Sequence, residues 1–126
     1  MIVVTAAVVE QQDRVLVTRR LDGTHLAGAW EFPGGKCEPG EDHDACLRRE
    51  LREELGVEAR IGSLLLSTSY RYPDRTVQLH FYRCELLGTP EPLLGQQIRW
   101  VSRSELRTLD FPPADAELIA LLDRPA

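Results

Sequence analysis

The chain has 126 residues, enough for one domain with a substantial core, and its 43% hydrophobic and 28% charged content excludes a disordered segment. A formal net charge of -5 argues against nucleic-acid polymers as partners, because their affinity rests mostly on Lys and Arg at phosphates. An acidic protein acting on an anionic substrate needs cations between the like charges, which points to a divalent metal.

Residues 2–9 are β-branched and nearly continuous, as in a buried strand. The run lacks a basic leader and is too short to cross a bilayer, so no membrane partner is expected. A polar turn at residues 11–14 leads to a second strand at residues 15–18, and these two segments are expected to pair. Residues 21–29 read as a loop. Trp30, Glu31 and Phe32 make a short strand that Pro33, Gly34 and Gly35 stop.

Residues 41–55 are the clearest helix: Leu47, Leu51 and Leu55 recur every four residues, and Gly56 sits where helices end. Residues 61–70 and 76–87 are β-rich and flank a turn at 72–75, which predicts a hairpin. A strand follows at 97–101. Ser102, with Glu105 three residues on, opens a short capped helix, and residues 113–122 form a last amphipathic helix. The mixture predicts a single α/β domain over residues 1–126, a mixed sheet covered by a helix on each side. The cysteines, Cys37, Cys46 and Cys84, are odd in number and lack zinc spacing. They read as reduced thiols in a cytoplasmic protein.

The chemistry concentrates between Gly34 and Gly56. Glu50, Glu53 and Glu54 stand at i, i+3 and i+4 of one helix and share a face. Crowded carboxylates repel one another unless a cation sits among them, and a hard divalent ion such as Mg²⁺ suits oxygen ligands. Gly34 and Gly35 let the backbone approach a ligand closely, and a carbonyl there can add an oxygen ligand. Arg49 lies two turns after Glu41 and can clamp the loop to the helix. Taken alone, such a run is also what a solvated acidic helix face looks like.

Residues 35–57, GKCEPGEDHDACLRRELREELGV, resemble the Nudix box, G-x5-E-x7-R-E-U-x-E-E-x-G-U with U a bulky aliphatic. Gly35, Glu41, Arg49, Glu50, Leu51, Glu53, Glu54, Gly56 and Val57 occupy its fixed places. The resemblance implies the Nudix fold, an α/β/α sandwich with a mixed central sheet, and attack of water on a diphosphate linked to another group. It also implies Mg²⁺ or Mn²⁺ held by Glu50, Glu53, Glu54 and the Gly34 carbonyl, with Glu50 as general base and Glu53 beside it in catalysis. Gly35, Glu41, Arg49 and Gly56 then serve the architecture of the box.

Outside the box, Thr18, Arg19 and Arg20, His25, residues 30–36, residues 73–75, Trp100 and residues 110–114 look like the MutT branch, enzymes that sanitise oxidised nucleotides. That likeness implies a free nucleoside triphosphate as substrate and nucleoside monophosphate plus pyrophosphate as products. It places substrate contacts at Arg20, His25, Glu31, Phe32, Pro33, Gly34, Arg75 and Asp115. In an arbitrary protein, Arg20 and Arg75 would be surface charges, His25 a solvated loop residue, and Phe32 and Trp30 core.

Two positions depart from the MutT pattern. Asp115 stands where that branch has Asn. An ionised Asp only accepts hydrogen bonds, whereas an Asn amide both donates and accepts. Pro113, Ala114 and Asp115 look like the related branch that hydrolyses CTP, dCTP and 5-methyl-dCTP. A carboxylate there suits the cytosine amino group, and it suits the guanine N1-H and N2-H₂ edge too. Asp115 could instead sit in the first turn of the last helix for its dipole alone. Leu94 replaces a Glu that many relatives use toward the metal. Two enzymatic expectations therefore stand, an 8-oxo-dGTP diphosphatase and a CTP or dCTP pyrophosphohydrolase. The reading from another class, a non-catalytic nucleotide-binding module, conflicts with the complete set of box carboxylates.

Overall fold

A computed structural model describes residues 1–19 and 28–124. Arg20 and His25, two expected substrate contacts, lie outside the described residues. The strands are β1 (Ile2–Val8), β2 (Glu10–Gln11), β3 (Arg14–Arg19), β4 (Trp30–Glu31), β5 (Gly34–Lys36), β6 (Ala59–Tyr72), β7 (Arg75–Leu86) and β8 (Gln97–Ser102). Helix α1 spans His43–Leu55 and α2 spans Ala116–Leu122, with 3-10 turns at Arg103–Thr108 and Pro113–Asp115.

The expected mixed sheet is present, in the order β5-β1-β7-β6, with β1 parallel to β7 and the other pairs antiparallel. A second sheet of β2, β3, β4 and β8 was not legible in the strand pattern. The expected pairing of the first two strands is corrected accordingly. Strand β1 pairs with β5 and β7, and β3 pairs with β2, β4 and β8. The polar turn joins only Glu10–Gln11 to β3, through Gln12 and Asp13 at φ 52° and 63°. Two consecutive residues with positive φ make the tight turn that suits strand twist. The short strand stops before Pro33 as expected, and the glycines then form a strand of their own, β5, against the edge of β1.

Alternation along β1 divides the core in two. Ala7 and Val9 join Leu16 and the α1 residues Leu47, Leu51 and Leu55 on one side. Ala6 and Val8 join Phe81, Val101, Leu106, Leu118 and Leu122 on the other. Successive strand side chains point to opposite faces, so one strand serves both layers. The four-residue leucine repeat is thus the stripe that seats α1, with all three leucines fully buried.

Both ends of α1 are closed by local chemistry. Asp42 caps the start by accepting from the Ala45 N–H at 2.7 Å. The His43 ring lies 4.3 Å from that of His80 and its Nδ1 is 2.7 Å from the Tyr82 hydroxyl, which fixes the first turn on β7. At the far end Gly56 is left-handed, φ 61°, and its N–H donates to the Arg52 carbonyl. The loop after β7 folds back on the last turn: Leu93 N–H and Gln96 Nε2 donate to the Glu54 carbonyl, and Glu91 N–H donates to that of Leu55. Those carbonyls have no partner within a helix, so this loop satisfies them.

The C-terminal region follows its sequence signals closely. Ser102 and Glu105 form the reciprocal capping box expected of them. The last helical segment is split, a 3-10 turn at Pro113–Asp115 continuing into α2. Among the described residues, no helix is long and apolar enough to cross a membrane.

Candidate active site

The glycine strand meets the acidic helix at close quarters. Opposite Gly34 in the ladder is Ala6, and opposite Gly35 is Thr5. Gly34 has φ 155°, and a Cβ there would collide with the Thr5 carbonyl. A Cβ on Gly35 would fall on the carboxylate of Glu50. Both glycines are therefore required by proximity: the first by the neighbouring strand, the second by the acidic helix.

Arg49 is the clamp that its spacing predicted. Its Nε donates to Glu41 Oε2 at 2.8 Å and its Nη2 to Glu41 Oε1 at 2.9 Å, a bidentate pair. Nη2 also donates to the Lys36 carbonyl at 3.1 Å, and Nη1 to Glu50 Oε1 at 3.0 Å. One guanidinium thus joins the end of β5, the loop after it and α1. Arg49 and the Glu38 N–H hold the Glu41 carboxyl down to about 2.

The acidic trio divides by environment. Glu50 is mostly shielded, its side chain 13% exposed, whereas that of Glu53 is 58% exposed and lies 3.3 Å from Arg49 Nη1. Burial pushes the Glu50 carboxyl up, opposed by Arg49 and reinforced by the negative charge of Glu53. Glu54 lines the adjoining cleft. The oxygens of this trio do not all converge: among the described residues, the group of potential ligands within 4.8 Å of one another is Cys37, Glu41 and Cys46. The donor set nevertheless fits a hard divalent ion, because it offers carboxylate oxygens from one helix beside a glycine strand. The pressure of Glu53 on Glu50 is what such an ion would relieve.

A cleft of about 270 Å³ opens beside this helix. Its apolar floor is Ile2 and Val4 of β1 next to Val77 and Leu79 of β7. Parallel register places Ile2 opposite Val77 and Val4 opposite Leu79, so the four side chains share one face. Of the expected contacts, Glu31, Phe32, Gly34, Arg75 and Asp115 line the cleft together with Glu54. Pro33 does not; it is buried, and its carbonyl accepts from the Ala7 N–H at 2.8 Å. Glu50 and Glu53 are not among the lining residues either.

Phe32 belongs both to the core and to the cleft wall. It is 4% exposed and packs on Phe111 at 5.2 Å and Phe81 at 6.0 Å, while also forming cleft wall. Trp30 lies farther out, with Arg19 and Arg99 each 5.9 Å from its ring centre. Asp115 is 6% exposed, and its side chain makes no capping bond to α2. It does stand in the first turn of the last helical segment, where a negative charge suits the helix dipole. Arg75 Nε is buried without a hydrogen-bond partner among the described residues, and Asp74 Oδ1 is 4.0 Å away. A buried donor in that condition is uncommon.

Sequence reasoning missed Tyr72, Lys36 and Pro112 on the cleft wall. The β1 floor could have been found, since Ile2, Val4 and Ala6 are alternate positions of one strand. Tyr72 could not, because its place depends on how far β6 runs before it turns. Leu94 is 52% exposed on the loop over the end of α1. The expectation of three free thiols is corrected: Cys37 and Cys46 form a disulfide, and Cys84 is free and buried. Their spacing matched no motif because the sulfurs meet through the β5 to α1 turn. Burial pushes the Cys84 thiol up to about 12, so it is a packing residue.

The NUDIX domain family matches residues 1–122. The chain belongs to the Nudix family. The 8-oxo-dGTP diphosphatase of Escherichia coli strain K12 is 39% identical over 115 residues, covering 90% of this chain and 89% of that protein. The CTP pyrophosphohydrolase of the same organism is 38% identical over 120 residues, covering 94% and 89%. Among solved structures, the E. coli ORF135 protein superposes with a TM-score of 0.86 at 38% identity, covering 100% of this chain and 94% of that one. The clamp, glycine strand and acidic helix are thus the Nudix box of a Nudix hydrolase, and members of this family generally need a divalent metal.

Proposed function

We propose that residues 1–126 act as one catalytic domain, a nucleoside triphosphate diphosphatase of MutT type that releases nucleoside monophosphate and pyrophosphate. The observation that carries this reading is the cleft. Gly35 and Glu54 of the box, and Gly34 just before it, lie on the same cavity as Phe32, Arg75 and Asp115, so one substrate can reach a metal at its phosphates and a recognition site at its base. Glu50, Glu53, Glu54 and the Gly34 carbonyl would hold Mg²⁺ or Mn²⁺. When bound, that ion neutralises phosphate oxygens and activates water.

The protein's own groups divide the remaining work. Glu50, pressed against Gly35, accepts the proton of the attacking water, and Glu53 supports it. Phe32 and the apolar floor hold the base. Arg75 Nε, a donor without a partner among the described residues, donates to a substrate oxygen. Asp115 accepts from the base edge. Arg20 and His25 are assigned substrate contacts by resemblance alone. Free nucleotides as substrates place the work in the cytoplasm, without a nucleic-acid polymer or a membrane.

For the base, 8-oxo-dGTP is the reading of first choice, with Asp115 accepting from N1-H and N2-H₂. Asp115 also favours a second reading, CTP, dCTP or 5-methyl-dCTP, with the cytosine amino group as donor. The test is turnover of canonical, oxidised and methylated triphosphates with Mg²⁺, by the native protein and by Asp115→Asn. A carboxylate that selects the base predicts a change in relative kcat/KM of about tenfold or more between purine and pyrimidine substrates. Identical profiles would exclude Asp115 as the selector. Glu50→Gln in the same panel should lose at least about 100-fold in kcat with native folding retained; undiminished turnover would remove Glu50 as the base.

A further inference from the structure

Cys37 follows β5 directly, and Cys46 lies in α1 four residues before Glu50. Their Cα atoms are 5.2 Å apart and the sulfurs are joined. We propose that this pair is a reversible thiol–disulfide site that locks the glycine strand to the catalytic helix and is oxidised by low-molecular-weight disulfides.

Three observations carry the proposal. The first is access: Cys37 is partly exposed, while Cys46 is fully buried. A small disulfide can therefore reach Cys37, and Cys46 is positioned to complete the exchange.

The second is that polar partners exist for both redox states. The Thr5 hydroxyl, fully buried in β1, is 3.2 Å from Cys46 Sγ and 3.8 Å from Cys37 Sγ. With the sulfurs joined, only this hydroxyl can donate. With the sulfurs reduced, the Cys37 thiol can donate to Thr5 and the Cys46 thiol to the Gly35 carbonyl at 3.9 Å. Neither state strands a buried polar group, so neither is locked in by desolvation.

The third is placement. Gly35 leaves no room for a Cβ beside the Glu50 carboxylate, and the bond spans the turn between these two residues. It restrains the approach that the active site requires. A metal on Cys37, Glu41 and Cys46 is a poorer account of this cluster, because Arg49 engages both oxygens of Glu41.

The exchange balances. The Cys37 thiolate attacks one sulfur of the small disulfide, forming a mixed disulfide and releasing one small thiolate. The Cys46 thiolate then attacks the Cys37 sulfur, closing the protein disulfide and releasing the second. The protein pair loses two electrons, the small disulfide gains them, and the two thiol protons end on the two released thiols.

The test equilibrates the full chain with oxidised and reduced glutathione at graded ratios, then alkylates free thiols for mass spectrometry and records thermal unfolding. Cys37 and Cys46 should lose reactivity together as the ratio becomes oxidising, while Cys84 labels only after denaturation. The oxidised form should unfold about 5 °C or more above the reduced form, from the restraint on the closed loop. Cys37→Ala should abolish that shift; Cys84→Ala should keep it. The proposal is overturned if both thiols stay reactive in oxidised glutathione alone, if a glutathione adduct on Cys37 is the end product, or if the thermal shift survives in Cys37→Ala.

Discussion

Single atoms decide how the glycine strand meets its neighbours. At Gly34 the obstacle to any side chain is the Thr5 carbonyl, which belongs to a paired strand and cannot yield. Gly34→Ala should therefore cost about 2 kcal/mol or more in stability, measured by denaturant unfolding. A cost below about 0.5 kcal/mol would mean that β5 is free to shift away from β1. At Gly35 the obstacle is the end of a flexible Glu50 side chain. Gly35→Ala should consequently leave unfolding nearly unchanged while lowering kcat by about tenfold or more, because it displaces Glu50. Equal losses of stability and turnover would show that the residue serves folding alone. Both glycines were singled out from the sequence, but the different demand on each is visible only in what stands opposite.

The α1 element is held by a charge whose protonation can be followed. Arg49 and the Glu38 N–H bring the Glu41 carboxyl to about 2, against an ordinary value of 4.5. A carboxylate with a depressed folded value binds fewer protons when native than when unfolded. Its stabilising contribution is complete above pH 4.5, shrinks as pH falls, and is gone below pH 2. Glu10 is held low in the same sense by Arg103, which bonds it from the 3-10 turn that follows β8, and it adds to the same acid loss. The unfolding midpoint of the native chain should therefore fall steeply between pH 4.5 and 2. Glu41→Gln should start lower at neutral pH and fall less steeply in that window. Parallel curves for the two proteins would mean that the Arg49 clamp contributes nothing to folding. The Arg49–Glu41 pairing was legible from spacing; the link from Glu10 to Arg103 was not, because it joins residues far apart in the chain.

For the whole molecule, the arrangement ties metal binding to stability. If the acidic helix face and glycine strand hold a divalent ion only when assembled, Mg²⁺ must stabilise the fold by mass action, about 2.7 kcal/mol at 100 times its Kd. The midpoint of thermal unfolding should rise with Mg²⁺, and Glu53→Gln with Glu54→Gln should remove most of that rise. An equal rise in the double variant would place the ion elsewhere. The sequence by itself determined the α1 stripe, the box carboxylates, the Arg49 clamp, the Ser102 capping box and the α/β class. Each of these is a relation between residues close along the chain, written in helical or strand periodicity. Only the tertiary structure decided that the strands divide between two sheets, that β5 lines β1 and that Cys37 reaches Cys46. It alone decided that Ile2, Val4, Val77 and Leu79 floor one cleft with Asp115 on its wall. Those relations depend on strand partners and register between distant segments, and an apolar run of β-branched residues suits several partners equally well.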